Sequence, residues 1–240
     1  MIDYEGMINN VIQWDLDRSL IRAIEAKDVL AVEKSIGDGA NIHAKDEAAL
    51  RLAARNGHID IVKFLVAHGA DIHADDDDAL RVAAEFGQLD IVRYLVDQGA
   101  DVHARDDFAL RWAASKGHLD IVKFLVRKGA DIHAEGENGD IPCAFSRAAE
   151  RGHLDIVIYL FEQGFDIRFQ KYEALEFAAS WGRLEIVKFL LEKGAPIEVA
   201  KENGTDAVKD FCKAYELRST LGQKLGSHTP SKSKSPRLKI

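Results

Sequence analysis

Apolar positions along this chain keep two helical registers, and both registers return together every 30 residues. Within 48–69, Ala49, Leu50, Ala53 and Ala54 fall on one helix face and Gly57 follows. Ile61, Val62, Leu65 and Val66 mark a second face, and Gly69 follows that one. The spacing predicts two helices of about ten residues each. Gly57 and Gly69 stand where a helix ends in the left-handed region, and Asp60 sits in a first turn, where its charge suits the helix dipole. Helices this short are unstable alone in water. Each pair therefore has to bury its apolar faces against the next pair. The alanine pairs let the helices approach closely, and a Leu there would overpack the contact.

The same frame runs on. Glycines after the first helix come at Gly57, Gly87, Gly117, Gly152 and Gly182, and those after the second at Gly69, Gly99, Gly129, Gly164 and Gly194. The alanine pair persists as Ala148-Ala149 and Ala178-Ala179. One step is 35 residues, and its extra residues fall between Ala134 and Ala144, in a connection. A fixed period of roughly 20–50 residues predicts a repeat solenoid.

The frame A-L-x-x-A-A-x-x-G-H-L-D-I-V-K-F-L-V-x-x-G-A-D-I resembles the ankyrin repeat over 20–221. The resemblance implies an all-α, helix-turn-helix solenoid whose connections are β-hairpins. Here the units are shorter than the usual length of about 33 residues, and the family's T-P-L-H start reads Ala48-Ala49-Leu50-Arg51. The expectation is an ankyrin-type solenoid with shortened β-hairpin connections. Asn138-Gly139 before Pro142, and Asn203-Gly204-Thr205, keep a longer form, and Asn-Gly signals a tight hairpin. The short units with G-A-D-I-H-A also look like those of ankyrin proteins from giant amoeba-infecting DNA viruses.

The expected organisation is a lead-in (1–19), a solenoid (20–225) and a disordered basic tail (226–240). The solenoid divides into a cap (20–40), repeats 41–70, 71–100, 101–130, 131–164 and 165–194, and a C-terminal unit (195–225). Met7, Ile8, Val11 and Ile12 predict a short lead-in helix, and Ser19 reads as the N-cap of the next one. Asp206 opens a predicted capping helix that carries Val208, Phe211, Cys212 and Tyr215 on one face. The tail holds Lys232, Lys234, Arg237 and Lys239 and no acid.

Composition narrows the function classes. A chain of 240 residues, 47% hydrophobic, can bury a large core. A net charge of −8 argues against general nucleic-acid binding. Two cysteines, Cys143 and Cys212, do not suggest a disulfide framework. No signal-peptide pattern and no run of 18 apolar residues occur, so the expectation is an intracellular protein that is neither secreted nor membrane-spanning.

Chemistry finds little purchase. His43, His73, His103 and His133 form a ladder at the period. Stacked helices lie about 8–10 Å apart, whereas zinc needs its nitrogens within about 2.1 Å. The histidines are expected to hydrogen-bond their turns instead, and His58, His118 and His153 are expected to be structural too. Arg51, Arg81 and Arg111 form a second ladder, read as ion-paired with connection acids such as Asp46, Asp76 and Asp106. Asp75–Asp78 lacks the D-x-D-x-D-G pattern of a calcium loop. No phosphate-cradling loop, G-x-S-x-G or H-E-x-x-H occurs. The expectation is no enzyme, no metal and no cofactor.

The resemblance implies that partners are read by the connections and the exposed ends of the first helices. The residues before each first-helix glycine include Arg55, Glu85, Phe86, Lys116, Arg151 and Trp181, and the connections add Asp75, Asp76, Asp77, Asp78, Phe108 and Tyr172. Phe86 and Trp181 are large apolar groups where sibling units are polar, the kind of anchor enriched in interface hot spots. The acids would steer a basic or amphipathic segment, held between repeats 71–100 and 165–194. The function expected is a monomeric protein–protein interaction scaffold. The alternatives are an adaptor for ubiquitin ligation and a structural or self-assembling protein.

Overall fold

The structure is a computed structural model; it describes the backbone of residues 4–136 and 141–226 and the side chains of 9–136, 141–218 and 220–221. It divides into two compact units, Met1–Ile167 and Arg168–Ile240. Among the described residues every regular element is a helix and there is no strand.

The first unit stacks five helix pairs: α1 (Tyr4–Glu25) with α2 (Val29–Gly37), α3 (Ala44–Arg55) with α4 (Ile59–Ala67), α5 (Ala74–Glu85) with α6 (Leu89–Asp97), α7 (Ala104–Lys116) with α8 (Leu119–Arg127), and α9 (Ala144–Arg151) with α10 (Leu154–Glu162). The first helices of successive pairs pack side by side in one layer, and the second helices pack in another. Between the layers Leu50, Leu80 and Leu110 are fully buried with Leu65, Leu95 and Leu125. Burying one such side chain contributes about 1.5–3 kcal/mol. Ala53-Ala54, Ala83-Ala84 and Ala113-Ala114 are fully buried too, so small residues set the close helix spacing as the sequence predicts.

The second unit begins with a short 3-10 helix (Phe169–Lys171), followed by α11 (Glu173–Ser180), α12 (Leu184–Glu192), α13 (Ile197–Asn203) and α14 (Asp206–Gly226). Here α13 packs on α11 and α14 on both α12 and α13, with Val208 and Cys212 buried.

Three local expectations are corrected. The lead-in and the first cap helix are one continuous helix, α1, so Ser19 is not an N-cap; its hydroxyl lies mid-helix, 3.1 Å from that of Ser35. Asn203-Gly204-Thr205 forms no hairpin: Asn203 ends α13, and a Cβ on Gly204 would lie 2.3 Å from the Ala200 carbonyl oxygen, so glycine serves close packing there. In place of the expected shortened hairpins, residues 45–47, 75–77 and 105–107 are left-handed turns; they fall inside the spans of α3, α5 and α7 but are not helical, so the regular helix begins after each of them. Asn138-Gly139 and the basic tail beyond Gly226 lie outside the described residues.

Candidate functional site: the first-helix face and its connections

Each connection in repeats 41–130 is built on three consecutive left-handed residues. In the second repeat Asp75, Asp76 and Asp77 have φ of 50°, 54° and 58°, and Lys45–Glu47 and Arg105–Asp107 do the same. None is glycine, and the left-handed region costs L-residues roughly 1–2 kcal/mol each. Side-chain bonds offset this. Arg81 donates from Nε to the Asp76 carbonyl (3.0 Å) and from Nη2 to the Asp75 carbonyl (2.8 Å). Arg111 does the same to Asp106 and Arg105, at 2.9 Å each. Arg81 and Arg111 therefore brace their own turns through backbone carbonyls, while Arg51 pairs with a connection acid, Asp78 of the next repeat, at 3.3 Å, and Arg81 pairs with Asp78 as well.

The third residue of each turn is a buried acid, Glu47, Asp77 or Asp107, each about 5% exposed or less. His73 Nδ1 meets Asp77 Oδ1 at 3.1 Å and His103 Nδ1 meets Asp107 Oδ1 at 3.2 Å; His43 contacts Glu47 likewise. These carboxylates also tie one repeat to the next: Asp77 accepts from the Asp101 amide and Asp107 from the Asp131 amide, at 3.0 Å each. Burial pushes the Asp107 carboxyl above its usual range, against the opposing pull of those bonds. Among the described residues no such bond joins the Asp71 amide to Glu47, and Glu47 Oε2 is buried without a partner. The longer Glu side chain breaks the ladder there. His133 departs as well, stacking on Phe165 at 4.8 Å.

The same device extends into α1, where the sequence reading did not look for it. Asp17 accepts the Asn41 amide at 2.8 Å, and Gln13 donates to Asp17 at 2.8 Å. Gln13 and Asp17 lie 30 residues before His43 and Glu47. Comparing polar positions at the period, as well as apolar ones, would have found them.

A second bond joins the turn between one repeat's two helices to the first helix of the repeat before it. His118 Nε2 lies 3.0 Å from the Glu85 carbonyl, His153 Nε2 lies 3.0 Å from that of Ser115, and Gln88 donates to that of Arg55 at 3.3 Å. These rings pass directly over the preceding glycines. A Cβ on Gly87 would stand 2.8 Å from His118, and one on Gly117 would stand 2.6 Å from His153.

The predicted binding residues separate on this geometry. Phe86 is 42% exposed at the end of α5, and Trp181 is 58% exposed at the end of α11 in the second unit. Arg55 lies over the Phe86 ring at 4.7 Å. Glu85 pairs with Lys116 at 3.3 Å, and Arg151 lies 3.8 Å from Glu150. The acidic run is not an open anionic surface. Asp77 is buried; Asp78 pairs with Arg81 at 2.9 Å; Asp75 and Asp76 are held by Arg105 at 2.9 and 3.0 Å. Phe108 is half-buried, beneath Arg81 at 5.0 Å and beside Trp112 at 5.5 Å. Tyr172 is half-buried and left-handed (φ 70°), and its carbonyl starts α11.

Cys143 and His153, close in sequence, are bonded elsewhere. The Cys143 thiol is buried and donates to the Ser146 hydroxyl at 3.6 Å, while His153 is committed to Ser115. No group of three or more His, Cys, Asp or Glu side chains is placed to hold a metal among the described residues. No described helix is long and apolar enough to cross a membrane. An open groove of 580 Å³ does cross the first helices, lined by Ile21, Leu52, Arg55, Val82 and Phe86 among others.

No curated protein matches the chain. The family described as ankyrin repeats (3 copies) matches residues 20–106 and 110–201, most of the sequence. Together with the paired helices and their bonded connections, this match shows that the chain belongs to the ankyrin-repeat family, whose repeats generally serve as protein–protein interaction modules.

Proposed function

We propose that this protein is a rigid scaffold that binds a partner protein on the first-helix face of its repeats. The observation that carries this is Phe86, an aromatic ring held outward beside an open apolar groove. Such a ring gains little from folding and much from a partner that covers it. The bonds that fix each turn and each neighbouring helix keep the face in one geometry, which lowers the ordering cost of association. Trp181 holds the corresponding position in the second unit and is exposed there as well. The likeness of the short units to those of giant amoeba viruses supports a host protein as the partner, met inside the cell by a monomer.

The test is site-specific photocrosslinking from the full chain, with the crosslinker at Phe86 or at Leu30, which is exposed on α2 in the other layer. A discrete adduct should form from position 86 only. Unlabelled wild-type protein should compete it away, and Phe86→Ala should compete less well by about 1–2 kcal/mol or more. Equal adducts from both positions, or equal competition by Phe86→Ala, would refute the assignment of this face.

A further inference from the structure

Resting on that reading, we propose that the partner segment is an acidic amphipathic helix lying across α1, α3 and α5. Two adjoining cavities, of 270 and 580 Å³, share Ile21, Lys45 and Ala48 and form one trough along the first-helix face. An aromatic ring with an arginine over it stands at each end: Trp14 under Arg18 at 4.9 Å, and Phe86 under Arg55 at 4.7 Å. Trp14 is 54% exposed. The floor between them is apolar, with Ile21, Ala48 and Leu52.

The charges around this trough decide what can lie in it. Among the described residues Arg18, Lys45 and Arg55 are in no ion pair with a carboxylate, and Arg51 pairs with Asp78. The acids of the lining are Asp17 and Glu25; Asp17 is hydrogen-bonded to the Asn41 amide and to Gln13, neutral donors that orient it without cancelling its charge. Three unpaired cations, Arg18, Lys45 and Arg55, therefore face two acids. The Asp75–Asp78 run, which would have reversed this balance, is spent on its own turn and on Arg51, Arg81 and Arg105. A basic segment would meet like charge at both ends of the trough. An acidic one would meet an arginine at each anchor and a lysine between them. With neighbouring helices about 8–10 Å apart, the trough spans roughly 20 Å. That length matches about 13 residues of helix at about 1.5 Å per residue.

Selection of displayed 16-residue random peptides on the immobilised full chain tests this. Enriched peptides should pair two apolar anchors with an excess of Asp and Glu. Their affinity should fall at least tenfold with Arg18→Glu or Arg55→Glu, and it should be unchanged by Lys63→Glu in the other layer. Peptides that depend on Phe86 yet carry neutral or basic flanks would overturn the charge assignment and leave the face standing. Enriched peptides indifferent to Phe86, or no enrichment at all, would overturn both. Concentration-dependent self-association abolished by Arg55→Glu would instead make a second copy the occupant and overturn the proposal.

Discussion

Gly87 offers a direct measure of how tightly one repeat holds the next. Its φ is +78°, and a Cβ there would stand 2.8 Å from His118 Cε1 and 3.0 Å from His118 Nδ1. Gly87→Ala should therefore cost twice. The left-handed conformation costs an alanine roughly 1–2 kcal/mol. Displacing the His118 ring should break its bond to the Glu85 carbonyl and strand a half-buried acceptor, a further loss of about 1–2 kcal/mol. The control is Gly69→Ala, where φ is +96° and nothing lies within 4 Å of the added Cβ. That variant pays the conformational penalty alone. Urea denaturation followed by circular dichroism should place Gly87→Ala about 1–2 kcal/mol below Gly69→Ala. With an m-value of about 1–3 kcal/mol/M, the two midpoints should be separated by roughly 0.3–2 M. Adding His118→Ala should erase most of the difference, because the ring that the methyl collides with is gone. Equal midpoints for the two glycine variants would refute the coupling, as would full additivity of Gly87→Ala with His118→Ala.

Other substitutions probe the connections. Arg81→Lys should destabilise by about 1–3 kcal/mol, because one ammonium cannot replace the two directed bonds to the Asp75 and Asp76 carbonyls; an unchanged melting temperature would refute the bracing role. Glu47→Asp should stabilise by about 0.5–1.5 kcal/mol, by restoring the acid length of the sibling turns and giving the orphaned oxygen a partner; denaturant midpoints check it, and a loss would refute it. The Asp107 carboxyl titrates above its usual range, so its folded-state pKa exceeds its unfolded one, near 3.9. The stability tied to that proton is fully present below the unfolded pKa and is lost as pH rises through the folded one. Asp107→Asn should therefore gain on wild type as pH climbs from about 4 across that window, and a gain by wild type over the same window would contradict it. Deleting 101–130 should leave a shorter chain that still unfolds cooperatively, because the units on either side present equivalent faces.

How much was legible depended on which residues had to carry the message. Leu50, Leu80 and Leu110, with their alanine pairs, announce buried helix faces because burial in a repeat needs apolar groups at fixed spacing. Gly57 and Gly87 announce chain reversals because a positive φ favours glycine. The connections were opaque for the opposite reason. Asp75, Asp76, Asp77 and Asp78 are the same letter four times in the sequence. Yet Asp77 is buried under His73 and holds the next repeat, Asp78 pairs with Arg51 and Arg81, and Asp75 and Asp76 lie on the surface under Arg105. No composition rule separates them, since the distinction arises only when a left-handed turn aims successive side chains in different directions. Gln13 and Asp17 were missed because a straight helix replaces the turn in α1 and hides the shared period. Of the candidate residues, the exposure of Phe86 and Trp181 was legible, whereas the burial of Asp77 and the hold of Arg105 on Asp75 and Asp76 were not.

The His153–Ser115 bond has a bearing on how such a chain can change over generations. It closes the one 35-residue step with the same geometry, 3.0 Å, that His118 makes to Glu85 across a 30-residue step. The extra residues fall in the sequence between the end of α8 at Arg127 and the start of α9 at Ala144, outside the helices that meet. The contact of a ring over the glycine at a helix end is thus made alike across both lengths of intervening chain. A 30-residue unit that keeps its glycine and its His carries both halves of that contact within itself, as 101–130 does with Gly117 and His118. Side chains that point outward, such as Phe86, take no part in that contact, so units can differ there without losing it.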